Sequence, residues 1–274
     1  MTGKTKYLMI QGTGSHVGKS VITAALCRIF ANKGLRVAPF KAQNMALNSF
    51  VTADGSEVGR STALQAKAAR AELSVEMNPI LLKPKAEKEA QLILNGKPYA
   101  DVSASDQFHN NKSLRAIKWE AIQLSLNTLS QNNELIVIEG AGSPAEVNLR
   151  EFDLANMAVA RHTGAPVLLV TDIDRGGSLA ALVGTLDLLP EEEQAHVRGF
   201  LFNKFRGDRR LFDPAISFLH NKTGISTLGV IPYDTTLSLM EEDALGQQRQ
   251  FNGEPEIEIA VVEHRHLSNF TDFD

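Results

Sequence analysis

Apolar and polar positions along this chain alternate between two periods. Short apolar runs at Tyr7–Ile10, Leu35–Phe40, Glu134–Ile138, Pro166–Thr171, Val197–Asn203 and Thr227–Ile231 read as strands. Between them, helical spacing covers about Lys19–Asn32, Glu57–Ala71, Ser113–Ser130, Asp153–His162, Ser178–Leu189 and Asp208–Asn221. Within the third of these, Leu114, Ile117, Ala121 and Leu124 share one stripe, and Ser113 is the expected N-cap. Gly34 stands where the first helix should end. Strands alternating with helices predict the α/β class: a doubly wound, mainly parallel sheet with helices on both faces, because parallel neighbours need a crossover between them. No internal repeat is visible.

The pattern changes after residue 240. Glu241–Glu256 is polar and carries Gly246, Gln247, Gln248, Gln250, Asn252, Gly253 and Pro255, as a linker does. Ile257–Val262 then reads as a fresh strand with no helix behind it. The expected layout is therefore a main domain over 1–240, a linker over 241–256, and the start of a second, truncated domain over 257–274.

Composition narrows the function class. With 28 Lys+Arg against 32 Asp+Glu the net charge is −4, so nothing marks a nucleic-acid or anionic-membrane footprint. No apolar run is long enough to span a bilayer, and the first residues lack a signal-peptide pattern. The single cysteine, Cys27, excludes an internal disulfide framework and suits a reducing cytoplasm. It falls on the inward side of the first helix, so it is expected in the core. The seven histidines form no metal-ligand spacing.

The strongest chemical signal is Gly12-Thr13-Gly14-Ser15-His16-Val17-Gly18-Lys19-Ser20, set between a strand and a helix. This is the context of a P-loop. Its glycines let backbone N–H groups face phosphate oxygens, and the helix N-terminus adds a favourable field. Lys19 is expected on the β- and γ-phosphates and the Ser20 hydroxyl on Mg2+. The loop departs from the usual spacing: Thr13 stands where the first glycine is expected, so Gly12 opens a loop one residue longer. No lysine lies between Gly12 and Gly18, which disfavours partitioning and septum-positioning ATPases.

A second acidic group follows the strand Leu135–Ile138. Glu139 heads Gly140-Ala141-Gly142, where a carboxylate beside a P-loop strand makes a Mg2+ contact. Asp172, Asp174, Arg175, Gly176 and Gly177 follow another apolar strand, and Asn203-Lys204 resembles a guanine-reading motif. Two places after Lys204, however, stands Arg206 and not the aspartate that guanine requires, so adenine is favoured, with Asn203 on its amino edge. Lys41, after the second strand, is placed to neutralise a carboxylate or a migrating phosphoryl group; an ordinary solvated lysine fits the same spacing.

Taken together, Gln11–Ser20, the run Pro39–Ser49, Asn78–Pro84, Glu139–Glu146, Asp172–Gly177, Asn203–Asp208 and Leu267–Asp274 resemble the cobyric acid synthase family over essentially the whole chain. That resemblance implies ATP-dependent amidation of four peripheral carboxylates of adenosylcobyrinic acid a,c-diamide through acyl phosphates. A dethiobiotin-synthetase-like amidoligase domain performs this, with ATP and Mg2+ and a corrinoid substrate. It further implies Lys19, Lys41, Glu139, Asp174 and Arg175 as catalytic residues, with Arg175 a clamp for carboxylate or acyl phosphate. The nucleotide contacts implied are Gly12, Thr13, Gly14, Val17, Gly18, Lys19, Ser20 and Asn203. The metal set implied is Ser20, Glu139 and, as nearest candidate for a further acidic ligand, Glu57. In that family a glutaminase domain with a cysteine nucleophile delivers ammonia. No cysteine follows Cys27 here, so ammonia is expected from a domain absent from this chain. A homodimer is a further partner expectation, and a dethiobiotin-synthetase-type ligase or a nucleotide-switch ATPase are the rival readings.

Overall fold

The first apolar run forms β1 (Lys6–Gly12), and the glycine-rich turn behind it leads into α1 (Lys19–Asn32) and β2 (Val37–Phe40). A computed structural model describes residues 4–86, 89–103 and 111–234. The linker expected at 241–256 and the further strand expected from Ile257 lie outside the described residues. After β2 come β3 (Gln43–Met45), β4 (Ser49–Val51), β5 (Glu57–Gly59), α2 (Arg60–Ala69), β6 (Ile80–Ala86), β7 (Glu89–Leu94) and β8 (Lys97–Ser103). The chain continues through α3 (Lys112–Asn132), β9 (Leu135–Glu139), α4 (Met157–Thr163), β10 (Val167–Asp172) and α5 (Ser178–Leu188). It then forms α6 (Glu191–Gln194), β11 (Val197–Phe205), α7 (Asp213–Thr223) and β12 (Thr227–Pro232).

Six strands make one sheet in the order β12-β11-β10-β1-β9-β2, and every neighbouring pair is parallel. Apart from the half-exposed edge strand β12, both faces are buried, which is why the strands read as continuous apolar runs. Alternate residues serve opposite layers. Met9, Ile136, Ile138, Phe40 and Leu169 pack with α3, α4, α5 and α7 through Ile122, Leu126, Val159, Leu182 and Leu219. Ile10, Leu135, Val137 and Val170 face α1, through Ile22 and Cys27. Cys27 is fully buried, and that burial pushes its thiol up to about 12, so it packs as a small apolar side chain. The order places β1 at the point where successive crossovers change direction, β9 and β2 to one side and β10 to the other, so the turn after β1 opens at the crevice of the sheet.

Several element ends differ from their sequence expectations for local reasons. The cap of α3 is Asn111, not Ser113: the Asn111 carboxamide oxygen accepts from Leu114 N–H at 2.9 Å. Asp153 precedes α4 and does not begin it; its carboxylate accepts from the N–H groups of Ala155, Asn156 and Ala158. Pro214 sits in the first turn of α7, so the helix starts at Asp213 behind a 3-10 turn at Arg209–Phe212. Glu57 lies on a strand, and α2 begins three residues later.

Residues 43–103 hold a part of the fold that periodicity alone does not announce. A second sheet, β3-β6-β7-β8, combines one parallel and two antiparallel pairings. Asn95 and Gly96 both have positive φ, 48° and 76°, as the two-residue turn between β7 and β8 requires. That Asn-Gly pair, directly behind the apolar run of β7, is a hairpin signal available in the sequence. Ile80, Leu82, Leu92 and Val102 from this sheet join the core cluster that contains Met9 and Phe40, so the two sheets share one interior. Among the described residues no helix is long and apolar enough to cross a membrane.

Candidate active site

The loop between β1 and α1 is shaped by steric necessity. A side chain at Gly12 would meet Val17 Cγ2 at 2.5 Å and the Gly14 carbonyl at 3.0 Å. Gly18 has φ 100°, and a Cβ there would lie 2.0 Å from Asn203 Nδ2. Thr13, the extra residue of the long loop, is tied to the neighbouring strand: its N–H donates to Val170 O at 2.9 Å. Its hydroxyl donates to Thr171 Oγ1 at 3.2 Å. The opposite wall belongs to the end of β11. Asn203 Nδ2 donates to Val17 O at 2.9 Å, and Lys204 Nζ donates to His16 O at 3.0 Å.

Lys19 folds back over its own loop. Its ammonium donates to Gly14 O at 2.7 Å and to Gly142 O at 2.9 Å. Burial lowers its pKa to about 8, with Lys41 adding to the shift and Glu139 opposing it. The loop that carries Gly142 is itself clamped. Asn156 Nδ2 donates to Ala141 O at 2.7 Å while Asn156 Oδ1 accepts from Ala141 N–H at 3.0 Å. A side chain on Gly140 would strike that same Asn156 oxygen at 2.4 Å, which explains a glycine directly after Glu139.

Glu139 is the centre of the site. It closes β9 and is 1% exposed. Its Oε1 accepts from Ser20 Oγ at 2.7 Å and from Lys41 Nζ at 3.1 Å, and its Oε2 accepts from Gln65 Nε2 at 2.5 Å. Burial by itself would raise the carboxyl pKa. The charge of Lys41, with hydrogen bonds from Gln65, Ser20 and Lys41, outweighs burial and holds the carboxyl below its usual range, so the group is an anion. Lys41 reaches it because its backbone is held on both sides: Lys41 N–H donates to Met77 O at 2.8 Å, and Asn78 Nδ2 donates to Lys41 O at 2.9 Å. The same Asn78 accepts from Gly59 N–H at 2.8 Å and so ties the start of α2 to the site.

The remaining predicted residues stand apart from this cluster. Asp172 accepts from Lys204 Nζ at 2.9 Å, so Lys204 joins the loop at His16 to the end of β10. Asp174 pairs with Arg206 at 2.8 Å, and the Arg206 guanidinium lies 3.6 Å over the Tyr233 ring. Arg175 is exposed, 3.9 Å from Asp172. Glu57, on the antiparallel pair β4-β5, is engaged by Lys83 of the second sheet and accepts from Ser49 Oγ. Lys19, Ser20, Lys41 and Glu139 are thus brought together, while Asp174 and Arg175 form an outer rim. Sequence reasoning passed over Gln65 and Asn156, noted Asn78 only within a segment of the resemblance, and read Lys204 only as part of a guanine-like motif. For Gln65 a signal existed, since it shares the inward stripe of α2 with Ser61, Thr62, Ala66 and Ala69 and is the one long polar side chain there.

A strand-to-helix phosphate loop, with a buried carboxylate ending the adjacent strand of an all-parallel sheet, defines a P-loop nucleotide-binding protein of the α/β class. Residues 8–245 match the model of the CobQ/CobB/MinD/ParA nucleotide binding domain, and the chain belongs to that family. It is similar to the cobyric acid synthase of Pelotomaculum thermopropionicum, 58% identical over 272 residues that make up 98% of this chain and 51% of that protein. The cobyric acid synthase of Carboxydothermus hydrogenoformans is 53% identical over 268 residues, 97% of this chain and 53% of that protein. The chain spans about half the length of the curated relatives it matches. Among solved structures, the signal recognition particle 54 kDa protein of Aeropyrum pernix, in complex with GDP, is similar with a TM-score of 0.49 at 13% identity, over 85% of this chain and 43% of that one.

Proposed function

We propose that this chain binds ATP with Mg2+ and uses it to activate peripheral carboxylates of a corrinoid, adenosylcobyrinic acid a,c-diamide, for amidation to adenosylcobyric acid in cobalamin biosynthesis. The observation that carries the reading is the convergence of Lys19, Ser20 and Lys41 around or beside one buried, ionised carboxylate, Glu139.

The residues fit a magnesium nucleotide. Ser20 Oγ and the Glu139 carboxylate are hard oxygen donors, already 2.7 Å apart. Among the described residues there is no group of three or more His, Cys, Asp or Glu able to hold a metal, so phosphate oxygens and water complete any shell here. Bound Mg2+ supplies charge neutralisation and a template for in-line displacement. The metal role rests on Ser20 and Glu139; Glu57 keeps Lys83 and Ser49 as partners.

This chain's own groups then divide the work. Loop amides from Gly12 to Gly18 cradle the phosphates, and Lys19 exchanges the carbonyls of Gly14 and Gly142 for phosphate oxygens. Asn203, whose amino side is spent on Val17 O, turns its carbonyl oxygen to the adenine amino group. Lys41 holds the acceptor carboxylate in line, so that positioning supplies much of the rate. A carboxylate oxygen of the substrate attacks the γ-phosphorus, the bond to ADP breaks, and an acyl phosphate results. Ammonia then attacks the acyl carbon, phosphate leaves, and the nitrogen gives up a proton. Arg175 and Asp174, on the exposed rim, meet the periphery of a large acceptor.

The test is a coupled assay for ADP with adenosylcobyrinic acid a,c-diamide as acceptor. Ammonia is expected to support turnover. Glutamine is not, because the one cysteine in these residues, Cys27, is buried with its thiol pushed up to about 12. Failure of the corrinoid to bind, read from its visible absorbance, would remove the substrate assignment while leaving ATP binding to be judged separately.

A further inference from the structure

Gln65 is fully buried on α2. Its carboxamide reaches across from the helix to Glu139. Nε2 donates to Glu139 Oε2 at 2.5 Å and approaches Ser20 O at 3.4 Å. The orientation of the amide follows from charge: turned over, it would put its own oxygen against an ionised carboxylate. The other end, Oε1, is buried and has no hydrogen-bond partner among the described residues. A buried amide oxygen left unpaired costs free energy, so the bond from Nε2 to Glu139 has to outweigh that cost.

The division of labour on the carboxylate is specific. Ser20 and Lys41 both use Oε1, and Gln65 takes Oε2. Rotation about the last bond of a glutamate side chain is soft, so a carboxylate held on one oxygen alone can swing. Gln65 stops that swing. It holds Oε2 away from Lys41 and keeps Oε1 facing the Ser20 hydroxyl.

We propose that Gln65 is a positioning residue of the metal–nucleotide site: through Nε2 it locks the Glu139 carboxylate in the orientation that keeps Oε1 of Glu139 on Ser20. The inference rests on the reading of Ser20 and Glu139 as the metal pair. Partners that orient a metal-binding carboxylate commonly change metal affinity by about 10–100-fold when removed.

The experiment measures Mn2+ affinity of the whole chain by electron paramagnetic resonance of free Mn2+, with a non-hydrolysable ATP analogue present. Nucleotide affinity is measured in parallel in EDTA. Gln65→Met keeps the length and volume of the side chain and removes both polar atoms. It is expected to weaken Mn2+ binding by about tenfold or more while the metal-free nucleotide affinity stays within about twofold. Should that variant fail to fold, Gln65→Asn, which withdraws the amide by one methylene, carries the same expectation. A variant that melts at lower temperature yet binds Mn2+ as the parent does would give Gln65 a packing role only and overturn the proposal. A parent protein that binds nucleotide but gains nothing from Mn2+ would overturn the Ser20–Glu139 metal reading, and this inference with it.

Discussion

Glu139 closes β9 and Asp172 closes β10, on either side of β1, yet the two carboxylates sit in different electrostatic surroundings. Glu139 is sealed from water and meets a buried lysine, a hydroxyl and an amide. Asp172 meets Lys204, about a third of whose side chain is exposed, and a solvated Arg175. Attraction between charges grows as water is excluded, so the first site is strong and unforgiving, whereas at the second Asp172 is buried but its cationic partners reach water and are screened. The crevice edge of one sheet therefore divides into a sealed centre at Glu139 and a side at Asp172 whose cations are open to solvent.

The sealed centre is most sensitive at Lys19. Lys19→Ala is expected to lower ATP turnover by at least about a hundredfold, because a preorganised cation is removed from the site of developing charge. Circular dichroism should show an intact fold. Unchanged ATP consumption in that variant would take the loop out of the mechanism.

Next comes the buried pair itself. Lys41→Met leaves Glu139 as an anion out of water with only neutral donors, and loss of one partner of a buried pair costs about 3–5 kcal/mol. Urea denaturation should show a loss of that order, and the double variant Lys41→Met/Glu139→Gln should recover much of it. An additive double variant would mean that the two charges are not coupled.

A buried lysine without such an anion sharpens the point. Lys118, on the inward stripe of α3, is 4% exposed and has no ion-pair or hydrogen-bond partner among the described residues. Burial lowers its pKa from 10.5 to about 8. Below pH 8 it is charged in both folded and unfolded chains, and folding bears the full cost of burying it. Between pH 8 and 10.5 the folded chain loses the proton first, so stability rises with pH. Lys118→Met should therefore stabilise the protein at pH 7 by about 3 kcal/mol and flatten that alkaline rise. Melting curves of parent and variant that run parallel from pH 7 to 11 would contradict this.

The smallest effect belongs to the rim. Arg206→Ala removes an exposed ion pair with Asp174 and a contact over Tyr233, and should cost no more than about 1 kcal/mol in stability. If Asp174 and Arg175 do meet the acceptor, Arg175→Ala raises KM for the corrinoid and leaves KM for ATP unchanged.

Much of this was legible in residue order. The six strands of the main sheet each carry an apolar run, and Lys19, Ser20 and Glu139 follow from a glycine pattern and a strand end. The second sheet and the β4-β5 pair were harder to read. β3, β4 and β5 have three residues each, too few for periodicity to register, and β8 is exposed along most of its length, so its pattern is polar. Asn111 outcompeted Ser113 as a cap because either residue suits that role and only the path of the entering chain chooses between them. Glu57 looked available for a metal until the fold brought Lys83, 26 residues on, beside it.

Residue order by itself determined the elements whose causes are local: runs of apolar residues, glycines that alone tolerate the loop's tight contacts, a proline that starts a helix. Tertiary structure decided which groups meet Glu139. Lys41 lies 98 residues away along the chain and Gln65 lies 74 away, so their convergence depends on strand order and helix packing. The physical reason is the same in both cases: backbone preference acts over a few residues, while the charge state and orientation of a buried group are set by whatever the finished fold places against it.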